Sequence, residues 1–298
     1  MSIWHTLDIL AITDVSGMGI VYKLYKKAVA KQGDSLTKLA TNLIASVIED
    51  GHIAITTGFL IPPNYIPETD GFVAALTFSR TFRGIFNSNF FIITEQRAAN
   101  FVPKSILDDI TLIPILGKGY TEDFLAILSE NDIDVLIFVE KPGVNSKGRM
   151  LTFRGLDVTE AHLDAMALTH AAKELGIPTV GIGDRGNEVG MGVIAKELTE
   201  NACIIKTDVL HVGATSNDAL FSIETGICLV KKVNGYHSWN LEEYYLRNLV
   251  DSGFVDGVTG EKSYSVDSIP ACILRCKNYI YNFFVGNCFK SSSTQSCP

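Results

Sequence analysis

The chain has 298 residues, a hydrophobic fraction of 47%, a charged fraction of 19% and a formal net charge of -8. That length can bury a sizeable core, and the balance is that of a globular rather than a disordered chain. No Lys/Arg-rich run exists to displace phosphate counterions, which excludes nucleic acid as an expected partner.

In chain order, the first 50 residues read as two helices, 17–31 and 35–49, joined at Gln32-Gly33-Asp34. Short apolar runs rich in Ile, Val, Phe and Thr then alternate with helical stretches. The runs predict strands at 52–57, 90–94, 111–115, 135–139, 179–182 and 202–205, and helices near 71–86, 122–131, 160–175 and 189–199. Thr159 as N-cap and Gly176 followed by Pro178 punctuate the third of these helices. Near-continuous hydrophobicity marks strands covered on both faces. The pattern therefore predicts an α/β fold, a mostly parallel sheet flanked by helices with an N-terminal helical extension. Two more helices are expected at 214–230 and 241–250.

Residues 1–268 read as one domain and 269–298 as a Cys- and Ser-containing tail without a fixed fold. Its most apolar part, 269–289, is interrupted by Arg275, Lys277 and asparagines, so it is no membrane span. Cys272, Cys276, Cys288 and Cys297 lack the Cys-x2-Cys spacing of a zinc site and read as free thiols; Cys203 and Cys228 read as small buried hydrophobes. Asp8 and Asp14, in a leading stretch without Arg, fit neither a secretory signal nor a transit peptide, so a cytoplasmic location is the expectation.

Ligands of such sheets sit beyond the carboxyl ends of the strands. Three polar segments fall there: Thr57-Gly58 with Pro67-Glu68-Thr69-Asp70-Gly71, Glu140-Lys141-Pro142-Gly143, and the loop Gly181-Ile-Gly-Asp-Arg-Gly-Asn-Glu-Val-Gly-Met-Gly192. In the last, glycines including Gly183 and Gly186 permit close backbone approach, and amides around Asn187 can form an anion site. Yet Asp184 and Glu188 lie inside it, which points to proton transfer or a metal rather than a simple phosphate cradle. Glu68 and Asp70, two apart, share a face of an extended segment, and paired carboxylates have separated pKa values. Helix capping is the competing use, by Asp184 and Glu188 in a Gly-rich turn and by Thr69 or Asp70 at the start of the helix that follows them. Arg154 matches a substrate carboxylate with its planar fork, and a surface pair with Asp157 is the alternative. Glu68, Asp70, Asp184 and Glu188 are hard oxygen donors suited to a divalent cation, although the sequence requires no cofactor. Neither zincin nor nucleophile-elbow motifs occur.

Several blocks together resemble the D-glutamate cyclase family. They are Thr57-Gly-Phe59, Pro67-Glu-Thr-Asp-Gly71, Glu140-Lys-Pro-Gly143, Arg154-Gly-Leu-Asp157, Gly176-Ile-Pro-Thr-Val-Gly-Ile-Gly-Asp184, Gly186-Asn-Glu-Val-Gly-Met-Gly192, the segment 213–217 and Val255-Asp-Gly-Val-Thr-Gly260. They occur in the family's order between about residues 8 and 268. The resemblance implies a lyase that converts D-glutamate to 5-oxoproline and water, with a mitochondrial matrix location possible. It implies Asp184, Glu188, Glu68 and Asp70 as acid/base residues. Arg154, Asp157, Gly183, Gly186, Asn187, Thr57, Ser216 and Asn217 would hold the small acidic amino acid. Amides of 186–188 would face the tetrahedral oxyanion and Arg154 the α-carboxylate. Ring-opening lactam hydrolysis at the same site, and non-catalytic binding of a small anion, are the alternatives. Arg185 stands where the family has Gly, and Phe72 where it has small residues or Pro.

Overall fold

The structure, a computed structural model, describes residues 2–291. Six strands, β1 His52–Thr56, β2 Asn89–Glu95, β3 Thr111–Ile115, β4 Val135–Val139, β5 Thr179–Gly183 and β6 Val209–Val212, make one sheet in the order β3-β2-β1-β4-β5-β6. Every pairing in it is parallel. Ten helices accompany the described residues: α1 Ile3–Ala11, α2 Ile20–Gln32, α3 Leu36–Ala45, α4 Phe72–Arg83, α5 Gln96–Ala99, α6 Thr121–Glu130, α7 Ala165–Glu174, α8 Ser216–Lys231, α9 Trp239–Ser252 and α10 Ala271–Ser291.

Strand residues alternate between two cores, because successive side chains leave opposite faces of a sheet. Ile53, Ile55, Val135, Ile137 and Val139 pack with α3, α4, α8 and α9 on one face. Ala54, Leu136 and Phe138 pack with α2, α6 and α7 on the other. Covering on both faces is why β4, Val-Leu-Ile-Phe-Val, is apolar throughout. The order in which successive strands are added reverses between β1 and β4, so the crevice beyond their carboxyl ends is the expected ligand site of this topology. β1 runs out into Thr57, and β4 into Glu140.

The α/β expectation holds, with local differences, among them a first helix, α1, that was not predicted. Residues 202–205 are not a strand. Ala202, Cys203 and Ile205 are buried and Ile204 is exposed, but the backbone serves the Gly-rich loop: the Cys203 amide donates to the Gly186 carbonyl, and the Ile205 carbonyl accepts from Gly190 and Gly192, each at 3.0 Å. The sixth strand is Val209–Val212 instead, its apolar run broken by the buried His211. Residues 189–199 form two short 3-10 turns, Met191–Val193 and Ala195–Glu197, because Gly190 has φ 104° and Gly192 lies tight against the Ile204 backbone. The third predicted helix begins at Ala165, capped by Asp164, whose Oδ1 accepts from Met166 and Ala167 amides at 3.0 Å. Lastly, α10 replaces the unstructured tail. It buries Leu274, Asn278, Tyr281 and Val285, and Lys277 Nζ meets Asp218 Oδ2 at 2.6 Å. Cys297 lies outside the described residues. Among those described, no helix is long and apolar enough to cross a membrane.

Candidate active site

Three strand ends and a hairpin deliver carboxylates to one place. Beyond β1, the chain returns through Pro67-Glu68-Thr69, stitched to a second loop by Thr69 N–H to Val255 O at 3.0 Å and Val255 N–H to Pro67 O at 3.1 Å. This brings Glu68 and Asp70 in. β4 delivers Glu140, held at φ 47°, and β5 delivers Asp184 and Glu188. Asp267 comes from a two-residue hairpin turn in which Asp267 and Ser268 both have positive φ, 52° and 63°, as a type I′ turn requires.

Asp70 and Asn217 cap each other's helices. Asp70 Oδ1 accepts from the Asn217 amide and Oδ2 from the Ser216 amide, both at 2.9 Å, at the start of α8. Asn217 Oδ1 accepts from the Gly71 amide at 2.9 Å and the Ala74 amide at 3.2 Å, at the start of α4. The two helix N-termini are thereby locked together, and these first-turn amides are spent on protein groups. Ser216 Oγ donates to Glu140 Oε2 at 2.6 Å.

Glu188 is not at a helix start. Its Oε1 accepts from the Arg185 amide at 3.1 Å and its Oε2 from the Gly186 amide at 2.8 Å. The Gly186 amide is therefore unavailable to a substrate oxyanion, contrary to the sequence expectation. Gly183 makes room for this carboxylate: a Cβ there would sit 2.6 Å from Glu188 Oε2. Arg185 Nε lies 3.2 Å from Asp184 Oδ2, and its Nη2 hydrogen-bonds Asp267 Oδ2. Asp184 Oδ1 is buried with no hydrogen-bond partner among the described residues.

Six carboxylates, on Glu68, Asp70, Glu140, Asp184, Glu188 and Asp267, are thus all buried around one guanidinium. Burial, reinforced by Glu140 and Asp267, pushes Glu68 well above the usual carboxylate range. Burial, then Glu188 and Asp70, does the same to Glu140. Burial and Asp267 push Asp70 up to about 8, against the two helix amides. Asp184 is raised by burial although Arg185 opposes it. Burial also raises Glu188 and Asp267.

A cavity of about 140 Å³ opens on this cluster, walled among others by Phe59, Glu68, Glu140, Arg154, Arg185 and Asn187. It is smaller than the roughly 300–1,000 Å³ of drug-sized sites, which suits a small metabolite. Asp70, Asp184 and Glu188 adjoin Glu140 in the buried cluster without lining this cavity. Arg154, exposed at the mouth, donates to the Val258 carbonyl at 3.2 Å and has no carboxylate partner among the described residues. Asn187 donates to the Leu151 carbonyl at 3.1 Å, leaving its buried Oδ1 without a partner. Thr57 is buried with its Oγ1 unpartnered. Asp157 is elsewhere: both Arg149 Nε and Nη2 bond its Oδ2, and Thr159 takes its Oδ1, which with Arg149 holds it down at about 2.

Glu140, Asp267 and the countercharge role of Arg185 were not read as site features from the sequence. Glu140 lay within a quoted strand-end block, whereas Asp267 is a lone acid without a motif. Gly257 also has a role: a Cβ there would overlap Glu68 Oε2. Phe72 does not narrow the cavity. It is fully buried, its ring edge-on to Phe254 with centroids 5.0 Å apart.

Beside this cluster lies a second buried one. Glu95 Oε1 accepts from Lys141 Nζ, from His162 Nδ1 at 3.0 Å and from the Leu163 amide at 3.0 Å. Although burial opposes its charge, Lys141 and His162 hold Glu95 down at about 2.

The fold and cluster can be set beside known proteins. The family described as D-glutamate cyclase-like, C-terminal, matches residues 7–272. The human protein "D-glutamate cyclase, mitochondrial" is 27% identical over 265 residues, an alignment that covers 73% of this chain and 43% of that protein. The chain thus matches less than half of that relative's length. A solved structure of UDP-glucose 4-epimerase aligns at 10% identity over 63% of this chain and 49% of its own, with a TM-score of 0.26, too low to bear on fold or function. With the family match running through nearly every block that builds the acidic cavity, the chain belongs to the D-glutamate cyclase-like family, in its C-terminal domain.

Proposed function

We propose that the cavity cyclises D-glutamate to 5-oxoproline. The observation that carries this reading is a pair of buried carboxylates, Glu68 and Glu140, facing one small cavity with an unpaired Arg154 at its mouth. The reaction joins the α-nitrogen to the side-chain carboxyl carbon and breaks one C–O bond there. The ammonium gives up two protons and the departing oxygen gains two, leaving as water. Two carboxyl groups of tunable protonation are suited to that exchange, one accepting from nitrogen while the other donates to oxygen.

Glu68, which carries no side-chain hydrogen bond among the described residues, is relieved of Glu140's negative charge when Glu140 is protonated, and in its ionised form takes the ammonium proton. Glu140, oriented by Ser216 and kept protonated by burial, donates its proton to the leaving oxygen, and the second ammonium proton passes to the same oxygen to complete the water. Arg154 holds the α-carboxylate, and Arg185, on the cavity wall, faces the developing oxyanion. Fixing both ends of a flexible molecule removes rotational freedom before attack. Nothing in this arrangement needs the Gly186 amide.

The test is incubation of the purified chain with D- and L-glutamate, and separately with each 5-oxoproline enantiomer, followed by chiral chromatography. Accumulation of 5-oxoproline from D-glutamate supports the reading. Glutamate formed from added 5-oxoproline, with no net cyclisation, would support the ring-opening hydrolase instead. Saturable binding of glutamate without any product would support the non-catalytic binder.

A further inference from the structure

We propose that Glu140, Asp184 and Glu188 together hold a divalent cation of the hard, oxygen-seeking kind (Mg²⁺, Mn²⁺ or Ca²⁺) at the inner wall of the cavity. One carboxylate oxygen from each of the three lies within 4.8 Å of the others, and all three side chains are buried. Oxygens about 2.0–2.6 Å from a common ion stand at such separations from one another. Asp184 is the second, independent sign. It is 4% exposed, yet its Oδ1 finds no donor among the described residues, and an unpaired buried carboxylate oxygen is costly.

The other two ligands are held in place as metal ligands usually are, by hydrogen bonds to their remaining lone pairs. Amides of Arg185 and Gly186 fix Glu188, and Gly183, lacking a side chain, lets that carboxylate lie across the end of β5. Ser216 Oγ fixes Glu140, whose backbone is held at φ 47°, a conformation a Glu adopts only when its surroundings enforce it. Charge balance points the same way. The guanidinium of Arg185 contacts Asp184 and Asp267, and among the described residues no Lys or Arg nitrogen lies within 4.0 Å of Glu140 or Glu188.

Asp184 also groups with Asp70 and Asp267. That triad is the poorer site, since Asp70 already accepts from three amides, two of them on Oδ1, and Arg185 is ion-paired with Asp267, whereas each Glu188 oxygen accepts from one amide and, among the described residues, no cation pairs with Glu188 or Glu140. Set against the sequence expectation of Glu68, Asp70, Asp184 and Glu188, the geometry exchanges Glu68 and Asp70 for Glu140. Three carboxylates leave coordination positions for water or a substrate oxygen, and Glu140, which lines the cavity, puts the ion in reach of it; the ion displaces the Glu140 proton, so the metal-loaded site and the form with Glu140 protonated are alternative states.

The full chain, freed of metal by chelator and dialysis, is titrated with MnCl₂ by calorimetry and electron paramagnetic resonance, then with MgCl₂ and CaCl₂ in competition. One Mn²⁺ should bind per chain, release protons as it does, raise the melting temperature and be removed by chelator. Asp184→Asn and Glu188→Gln should each weaken Mn²⁺ binding at least tenfold, with circular dichroism reporting that each is folded. Should either fail to fold, the other variant and the stoichiometry on the native chain decide. No saturable binding to the folded native chain, or equal binding in the folded variants, overturns the proposal. The readout is binding alone. A chain that binds Mn²⁺ without making 5-oxoproline would keep the site and lose the cyclase reading, and a chain that cyclises but binds no Mn²⁺ would do the reverse.

Discussion

Two buried ionic clusters stand side by side at the carboxyl ends of the strands, and they are built on opposite principles. At the ends of β2 and β4, one carboxylate, Glu95, is surrounded by Lys141, His162 and an amide, so its charge is fully answered. At the ends of β1, β4 and β5, six carboxylates share Arg185 and a few amides. Adjacent residues, Glu140 and Lys141, serve one cluster each. A matched cluster specifies packing, whereas a mismatched one is tolerated only where protons, an ion or a ligand complete it.

If the matched cluster is structural, breaking it should give the largest effect. Lys141→Met leaves Glu95 buried beside a neutral neighbour and should cost about 3–5 kcal/mol in denaturant unfolding. In the mismatched cluster, Gly257→Ala should act on turnover instead. Its methyl group displaces Glu68, and the rate of 5-oxoproline formation should fall about a hundredfold, the usual scale for a lost proton-transfer group. Arg154→Ala should be milder, raising KM for D-glutamate about tenfold with kcat less affected, as measured by steady-state kinetics.

A pH titration sharpens the contrast further. Glu68, Glu140 and Asp70 bind protons more tightly folded than unfolded, so folding takes up protons. The contribution of these three groups is then fully present below the unfolded carboxylate values near 4 and is lost as pH rises through the folded values, about 8 for Asp70. Melting temperature, with chelator present, should fall between pH 6 and 9. A rise over that range would mean the acids are charged and satisfied in the native state.

Much of this architecture was legible because it depends on apolar periodicity. Strands such as β4 are covered on both faces and read as continuous apolar runs. What was missed has buried polar residues inside an apolar stripe. His211 hides β6, Asp8 hides α1 beside Leu7 and Ala11, and Asn278 hides α10 between Leu274 and Tyr281. A residue-by-residue reading takes such positions as exposed, although each is hydrogen-bonded within the fold: Asp8 accepts from the Thr37 amide at 2.9 Å, and His211 meets Ser222 at 3.0 Å.

The site was legible to a similar depth. Motif blocks named Glu68, Asp70, Asp184 and Glu188, which do meet in one cluster. Local sequence cannot show which of them faces open space, because that depends on long-range packing. Glu68 faces the cavity, whereas Asp70 turns away to cap α8, more than a hundred residues on. The Arg149 partner of Asp157 was likewise hidden, since either neighbouring arginine satisfies the spacing.

The central claim is that Glu68 belongs to chemistry and Glu95 to structure. Turnover of D-glutamate and thermal unfolding, measured together on Glu68→Gln and Glu95→Gln, test it most directly. The account predicts that Glu68→Gln loses about a hundredfold in turnover and melts no lower than the native chain, while Glu95→Gln is the variant that loses stability. Normal turnover in a destabilised Glu68→Gln would contradict it.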